Sequence, residues 1–223
     1  LLGSTFLIKE VLSIMNKQTA FGVHESILNR FYNVGGFNKP ERVGYLMKMI
    51  RNLKPSSMME WMYWYFEHIH DFSYLYNLAI QFWQTIPDTY GIEFKEALAY
   101  VGDVMFQRTF SGYIKEANAL QILRKAINPT IEESPADWDN LYFIDFFYYD
   151  KTGHLVGIQL KPESFLHGHC NQYVTIDNKI QRFCKDYNAK AFILYYRQNC
   201  NSRTVDNFFL NPETINLIKQ TAA

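Results

Sequence analysis

The chain has 223 residues, with 22 basic and 22 acidic side chains and therefore a formal net charge of zero. Its 48% hydrophobic and 20% charged residues are typical of a folded globular protein with one large domain or two small ones. A neutral chain has no overall field that attracts nucleic acid or a membrane surface, so any polyanionic partner must be bound by local clusters.

The three cysteines, Cys170, Cys184 and Cys200, lack the spacing of metal ligands and are expected to be reduced thiols. No apolar run is long enough to span a membrane, and the apolar start lacks the basic segment of a signal peptide. We therefore expect a cytoplasmic protein with no membrane partner.

The first part of the chain, to about Pro129, has helical periodicity. Ser56 or Ser57 can cap the helix that follows, Ser57 with Glu60 three residues later as in a capping box, and Pro40 is placed to open a helix. A break is expected at Ser111-Gly112. The predicted helices are 6–15, 40–50, 58–70, 72–86, 91–110 and 114–127.

The pattern changes after Thr130. Six acidic residues and no Lys or Arg lie between Glu132 and Asp150, within and before a β-rich stretch that ends at Pro162. An amphipathic helix is predicted at 174–187, a strand at 191–196 and a last short helix after Asn211-Pro212. This order predicts an α+β protein, in which a helical N-terminal module precedes a small α/β core.

The stretch Leu141–Pro162 reads LYFIDFFYYDKTGHLVGIQLKP and predicts a β-hairpin that turns at 151–153. In that register Asp150 faces His154, and Asp145 faces Gln159. Because side chains alternate along a strand, Lys161 lies on the same face. The opposite, core-forming face is expected to hold Ile144, Phe146, Val156, Ile158 and Leu160.

An Asp on one hairpin strand and a Gln-x-Lys triplet on the next resemble the PD-(D/E)xK nuclease superfamily. Within it, the chain is similar to MjaI-type type II restriction endonucleases. The motifs that carry this likeness are Ser134-Pro135-Ala136-Asp137, Ile144-Asp145, Ile158-Gln159-Leu160-Lys161-Pro162 and, in style, RVGYLMKMIRNLKPSSMMEW from Arg42 to Trp61.

The resemblance implies a restriction-endonuclease-like core with a mixed sheet flanked by helices, and Mg²⁺-dependent hydrolysis of phosphodiester bonds in double-stranded DNA. It places Asp145 on the metal and Lys161 near the attacking water. Gln159 stands where an acidic residue is usual; its amide oxygen can bind a metal but brings no charge. Further candidate carboxylates are Glu133, Asp137 and Glu96.

The resemblance also implies a prokaryotic homodimer acting on a short palindrome. Residues 1–90 would serve DNA recognition or dimerisation, and 91–223 would form the nuclease core. Two basic stretches, 39–54 and 179–203, could contact phosphates. The candidate DNA-binding residues in them are Arg42, Arg51, Lys54, Arg197 and Arg203.

Other interpretations of these residues stay open. Asp145, Gln159 and Lys161 could be the solvated polar face of a strand, and the acid-rich run could be a solvated loop. The sequence His167-Gly168-His169-Cys170 lacks a second ligand pair for metal, and the aromatic helix 58–70 suits a core better than base stacking. Two alternatives to the nuclease are a non-cleaving DNA- or protein-binding protein on a degenerate nuclease fold and a structural helical protein with an incidental hairpin.

Overall fold

The computed structural model describes residues 21–167, 170–198 and 208–222. The chain divides into two compact units, Leu1–Tyr113 and Ile114–Ala223. The predicted division of roles at residue 90 stays a prediction, and the predicted helix 6–15 lies outside the described residues. In the described ranges, no helix combines the length and apolar character needed to cross a membrane.

The first unit is helical and is built around a core rich in aromatic side chains. It includes the fully buried Trp61, Tyr65 and Phe82. Ser57 caps its helix by accepting the Glu60 N–H at 3.2 Å, as the capping-box spacing predicts. The helices in order are α1 (Glu25–Val34), α2 (Pro40–Val43), α3 (Leu46–Leu53), α4 (Met58–His68), α5 (Phe72–Gln84) and α6 (Phe94–Gly102), then a π-helical segment (Asp103–Arg108) and α7 (Thr109–Ala126), whose residues from Ile114 belong to the second unit.

The second unit is a five-stranded mixed sheet with helices, which confirms the α+β class. The sheet order is β1-β2-β3-β4-β5, in which β3 and β4 are parallel and the other neighbours are antiparallel. The elements after α7 are β1 (Glu132–Glu133), α8 (Ala136–Tyr142), β2 (Phe146–Tyr149), β3 (Leu155–Pro162), α9 (Cys170–Asp186), β4 (Lys190–Gln198), β5 (Phe208–Leu210) and α10 (Pro212–Ala222).

The central strand β3 is covered on both faces. Val156, Ile158 and Leu160 pack in a cluster with side chains of α7 and α10. On the other face, Leu155 packs with side chains of α8 and α9. Parallel neighbours need a crossover connection, and α9 supplies it between β3 and β4. Burial on both faces explains why β3 reads as a nearly continuous apolar run.

The hairpin register is confirmed. Phe146 pairs with Ile158 and Tyr149 with Leu155, and the Asp150 N–H donates to the His154 carbonyl at 2.9 Å. Gly153 closes the turn with φ +83°, a conformation that glycine adopts without a Cβ clash.

Three expectations about the elements were wrong. α7 runs without a break through Ser111-Gly112, and the irregularity in that region is the π-helical segment before it. The helix expected from Pro40 to Ile50 is split at Gly44, whose φ is +78°. Ile144 packs on the α9 side of the sheet, in the cluster opposite to that of Phe146. Strand alternation does not extend back to Ile144 because β2 begins at Phe146 and Phe143 has a left-handed φ of +54°.

Candidate active site

Asp145 and Gln159 lie in direct contact, as the hairpin register predicts. The Gln159 Nε2 donates a hydrogen bond to Asp145 Oδ2 and a second one to the Leu160 carbonyl at 3.2 Å. Both residues are buried, Asp145 with 7% and Gln159 with 2% of its surface exposed. The interpretation of these two residues as the solvated face of a strand is therefore wrong.

The Asp145 carboxylate also accepts a hydrogen bond from the backbone of β3. Its Oδ2 accepts the Leu160 N–H at 2.7 Å, and the Asp145 N–H donates to the Ile158 carbonyl at 2.9 Å. Ile158 is the ladder partner of Phe146, so the chain departs from regular pairing at Asp145. Asp145 thus has a structural role that the sequence did not indicate.

Two buried polar atoms next to this contact have no hydrogen-bond partner among the described residues. They are Oε1 of Gln159 and Oγ of Ser134, and the Ser134 N–H donates to the Asp145 carbonyl at 2.9 Å. An unpaired buried acceptor costs about 1–3 kcal/mol of stability. Each such group needs an explanation, and a bound water, ion or ligand is one of them.

Lys161 follows two residues after Gln159 and is half-buried. Its ammonium lies 5.5 Å from the ring centroid of Phe143 and 5.9 Å from that of Phe165. Phe143 directly precedes the Ile144-Asp145 pair in sequence. The structure therefore puts Lys161 beside the segment that leads into Asp145.

A carboxylate that the sequence did not single out, Glu116 of α7, acts on the same region. Burial first, and then the charges of Glu116 and Asp145, raise the pKa of Tyr196 on β4. Both carboxylates are thus near enough to Tyr196 to affect its ionisation. The Lys115 ammonium lies 5.7 Å from the Tyr196 ring, and burial lowers the pKa of Lys115.

The position of Glu116 on α7 is a signal that the sequence does contain. The core stripe of α7 holds Ala119, Leu120 and Leu123, and Glu116 precedes them by three, four and seven residues. That spacing places it on the same helix face. Carboxylates are mostly exposed in folded proteins, so a carboxylate on the packed face of a helix needs a specific reason to be there. Glu116 is therefore a candidate for a functional site.

The other carboxylates proposed as metal ligands have different surroundings. Glu133 pairs with Phe146 in the β1–β2 ladder and is half-buried, and Asp137 is exposed on α8. Glu96 belongs to the first unit: one oxygen lies 2.8 Å from His24 Nδ1 and the other accepts the Glu93 N–H at 2.8 Å. Glu96 thus serves as a helix cap, and its role as a metal ligand stays a prediction.

In the described part of the chain, no three His, Cys, Asp or Glu side chains come together as a metal site. Gly168, His169 and Cys200 lie outside the described residues, so the structure does not bear on the His-Gly-His-Cys segment. Cys184 is a free thiol whose pKa is raised by burial, as expected for a structural cysteine.

The cations proposed to bind DNA are partly engaged within the protein. The Arg42 guanidinium lies 4.6 Å from the Phe37 ring centroid, and Arg197 forms a 2.7 Å ion pair with Glu163. Lys54 is exposed and caps α3 with a left-handed φ of +53°, Arg51 is half-buried, and Arg203 lies outside the described residues. Their roles in DNA binding stay predictions.

Together, the fold and this group of residues define an α+β protein whose mixed sheet holds a buried Asp–Gln contact with a lysine two residues further on. A family model described as MjaI restriction endonuclease matches residues 25–207, more than half of the chain. The chain belongs to this restriction endonuclease family, as its motifs indicated, and so to a class of DNA-cleaving nucleases. No curated protein and no solved structure matches it.

Proposed function

We propose that this protein is a type II site-specific deoxyribonuclease that hydrolyses phosphodiester bonds of double-stranded DNA with Mg²⁺ as its cofactor. The observation that carries the proposal is the Gln159 side chain. Its Nε2 is fixed by Asp145, while its Oε1 is buried without a partner among the described residues. This leaves an oxygen acceptor, held in place, next to a buried carboxylate.

The donor set fits a hard cation. Mg²⁺ binds oxygen ligands and takes only one or two carboxylates, keeping several waters. Asp145 supplies one carboxylate and Gln159 an amide oxygen. Glu116 is one candidate for a second carboxylate, since its charge and that of Asp145 both act on Tyr196; Glu133, on strand β1, is the other candidate.

A divalent cation held there would supply positive charge to the phosphate oxygens and make a water more nucleophilic. The residues of the chain have complementary roles. Asp145 holds the Gln159 amide and the end of β3 in place. Lys161 provides a compact positive charge for a phosphate oxygen or for the attacking water.

We also propose that the second unit is a PD-(D/E)xK core. The order of a helix, a hairpin, a crossover helix and a parallel strand supports this, as do the positions of Asp145, Gln159 and Lys161. A palindromic target would make the active species a homodimer, because two-fold protein symmetry mirrors a symmetric site. Sedimentation of the protein with and without DNA would test whether it is a homodimer.

The deciding experiment is digestion of plasmids of known sequence by the full chain with Mg²⁺. The proposal expects discrete fragments with constant ends. Lys161→Ala should abolish the fragments, whereas Lys151→Ala, an exposed lysine in the hairpin turn, should leave them unchanged. Undiminished cleavage by Lys161→Ala would contradict the assignment.

One observation favours a second candidate function, a DNA-binding protein that does not cleave. Gln159 stands where an acidic residue is usual and brings no charge. This alternative predicts tight, salt-sensitive DNA binding by the wild type with intact plasmid at every Mg²⁺ concentration.

A further inference from the structure

We propose that Phe143 and Phe165 are positioning residues, which form an aromatic cage that holds the Lys161 side chain in place for cleavage. The Lys161 ammonium lies over both rings, 5.5 Å from the ring centroid of Phe143 and 5.9 Å from that of Phe165. Both distances are within the range of a cation–π contact. The inference rests on the proposed function and adds to it two residues that act through Lys161.

The two rings of the cage come from segments on either side of the hairpin. Phe143 precedes β2, and Phe165 lies in the 3₁₀ turn Glu163–His167, which directly follows β3. Glu163 of this turn forms a 2.7 Å ion pair with Arg197, which ties the turn to the neighbouring strand β4. Both rings also pack against the apolar cluster on the α9 side of the sheet. Contacts other than those with Lys161 therefore fix the positions of the two rings.

The backbone of Phe143 is strained. Its φ is +54°, a left-handed conformation that a residue with a bulky side chain rarely adopts. Such strain persists where the surroundings hold it in place, and it is concentrated at functional sites. Because Asp145 follows two residues later, the segment that carries the buried carboxylate also carries one ring of the cage. The Lys179 ammonium lies 3.9 Å from the centroid of the same ring, so Phe165 is the better position for a test that concerns Lys161.

Aromatic rings suit a lysine that must keep its charge. The flexible four-carbon stem of a lysine loses rotamer freedom when it is held in one place, and cation–π contacts offset part of that cost. A carboxylate in the place of a ring would neutralise the ammonium, whereas a ring leaves its full charge for a phosphate oxygen or the attacking water. A reacting group displaced by about 1 Å can slow a reaction roughly 100-fold. The cage should therefore affect the rate of cleavage more than the affinity for DNA.

The first measurement locates the Lys161 side chain by NMR of the full chain with isotope-labelled lysine. The Lys161 ε-methylene signal is the one that Lys161→Met removes, and the exposed turn residue Lys151 gives a reference signal assigned in the same way. Because the face of an aromatic ring shields the protons above it, we expect the Lys161 signal upfield of the Lys151 signal. Phe165→Leu should move the Lys161 signal toward the reference, and Phe165→Tyr, which keeps the ring, should not.

The second measurement is the single-turnover rate, with protein in excess, on a plasmid that the wild type cuts with Mg²⁺. Phe165→Leu should be roughly 10- to 100-fold slower because Lys161 is no longer held in place, while its affinity for the same DNA without divalent cation should match the wild type. Phe165→Tyr should restore the rate. The matched control is Phe147→Leu, since Phe147 of β2 is half-buried against the same apolar cluster. It should change neither the rate nor the Lys161 signal.

A wild-type Lys161 signal at the position of the Lys151 signal would overturn the cage, as would a Lys161 signal that Phe165→Leu leaves in place. Equal cleavage rates in Phe165→Leu and Phe147→Leu would overturn it too. If Phe165→Leu folds poorly, Phe165→Met, which is close to phenylalanine in volume but has no ring, takes its place in both measurements. The proposed function fails separately. If the wild type cuts no plasmid with Mg²⁺, the nuclease assignment is wrong, while the NMR measurement still decides whether the rings hold Lys161.

Discussion

The backbone N–H of Leu160 donates a hydrogen bond to the Asp145 carboxylate at 2.7 Å. The Asp145 side chain thereby accepts a backbone hydrogen bond that a strand carbonyl would normally accept. Asp145 is the residue immediately before β2. The same oxygen accepts the Gln159 amide. The residue proposed to bind the metal is therefore also part of the sheet, which determines how its role can be tested.

Asp145→Ala should lower the free energy of unfolding by about 2 kcal/mol or more, because it leaves the buried Leu160 N–H unpaired and removes one of the two hydrogen bonds of the buried Gln159 amide. Asp145→Asn keeps an oxygen acceptor for Leu160 and should cost less. Urea denaturation of both variants measures the difference. Cleavage should be lost in both, so the Asn variant separates catalysis from folding. Equal stability of the two variants would argue against the structural role.

Gln159→Glu should make the protein dependent on divalent cation for stability. The substitution puts a second carboxylate against Asp145 in a buried position, and like charges there raise the pKa of one of them. Thermal unfolding should occur at a lower temperature than in the wild type in EDTA and should recover on adding Mg²⁺. Gln159→Met, which cannot bind the cation through oxygen, is the control. A variant whose unfolding temperature is the same with and without Mg²⁺ would count against a cation at this place.

Glu116→Gln should reduce cleavage by two orders of magnitude or more if Glu116 supplies the second carboxylate, since loss of a ligand charge weakens both cation binding and transition-state stabilisation. A higher Mg²⁺ concentration should restore part of the rate. Glu133→Gln tests the competing candidate, and Glu132→Gln, exposed on the same strand, is the neutral control. Full activity of Glu116→Gln combined with inactivity of Glu133→Gln would mean that Glu133, and not Glu116, supplies the second carboxylate.

Gly157→Ala should destabilise the second unit by about 1–3 kcal/mol through overpacking. A Cβ on Gly157 would lie 2.7 Å from Phe183 Cε1 and 3.0 Å from Ile144 Cδ1, and Phe183 is fully buried. Phe183→Leu in the same chain should recover part of the loss, measured as a coupling energy by chemical denaturation. Gly22→Ala, where no atom of the described residues lies within 4 Å, should be near neutral.

Asp150 should make the hairpin sensitive to acid. Hydrogen bonds from Thr152, and then from the His154 and Thr152 N–H groups, hold the pKa of the Asp150 carboxyl below its usual value despite burial. The pKa of Asp150 is lower in the folded protein than in the unfolded chain. The ionised carboxylate therefore stabilises the fold at a pH above the unfolded-state pKa, and this stabilisation is lost as the pH falls through the folded-state pKa. Asp150→Asn should be less stable than wild type at neutral pH and should approach it below pH about 4. A stability difference that stays constant with pH would contradict this.

The sequence by itself determined the α+β class, the hairpin register and the Asp145–Gln159 contact. These follow from local rules: a Gly-ended turn fixes the pairing, and strand alternation then fixes which side chains meet. The motifs also determined the family, which the match over residues 25–207 confirms.

Tertiary structure alone decided which side chains from distant parts of the chain lie near the hairpin. Glu116 is far from it in sequence, and only the packing of α7 on the sheet brings Glu116 near Tyr196 of β4, whose pKa the charges of Glu116 and Asp145 both raise. The burial of Asp145 and its hydrogen bond to Leu160 likewise depend on where β2 begins, since alternation says which face a side chain takes but not where strand pairing stops.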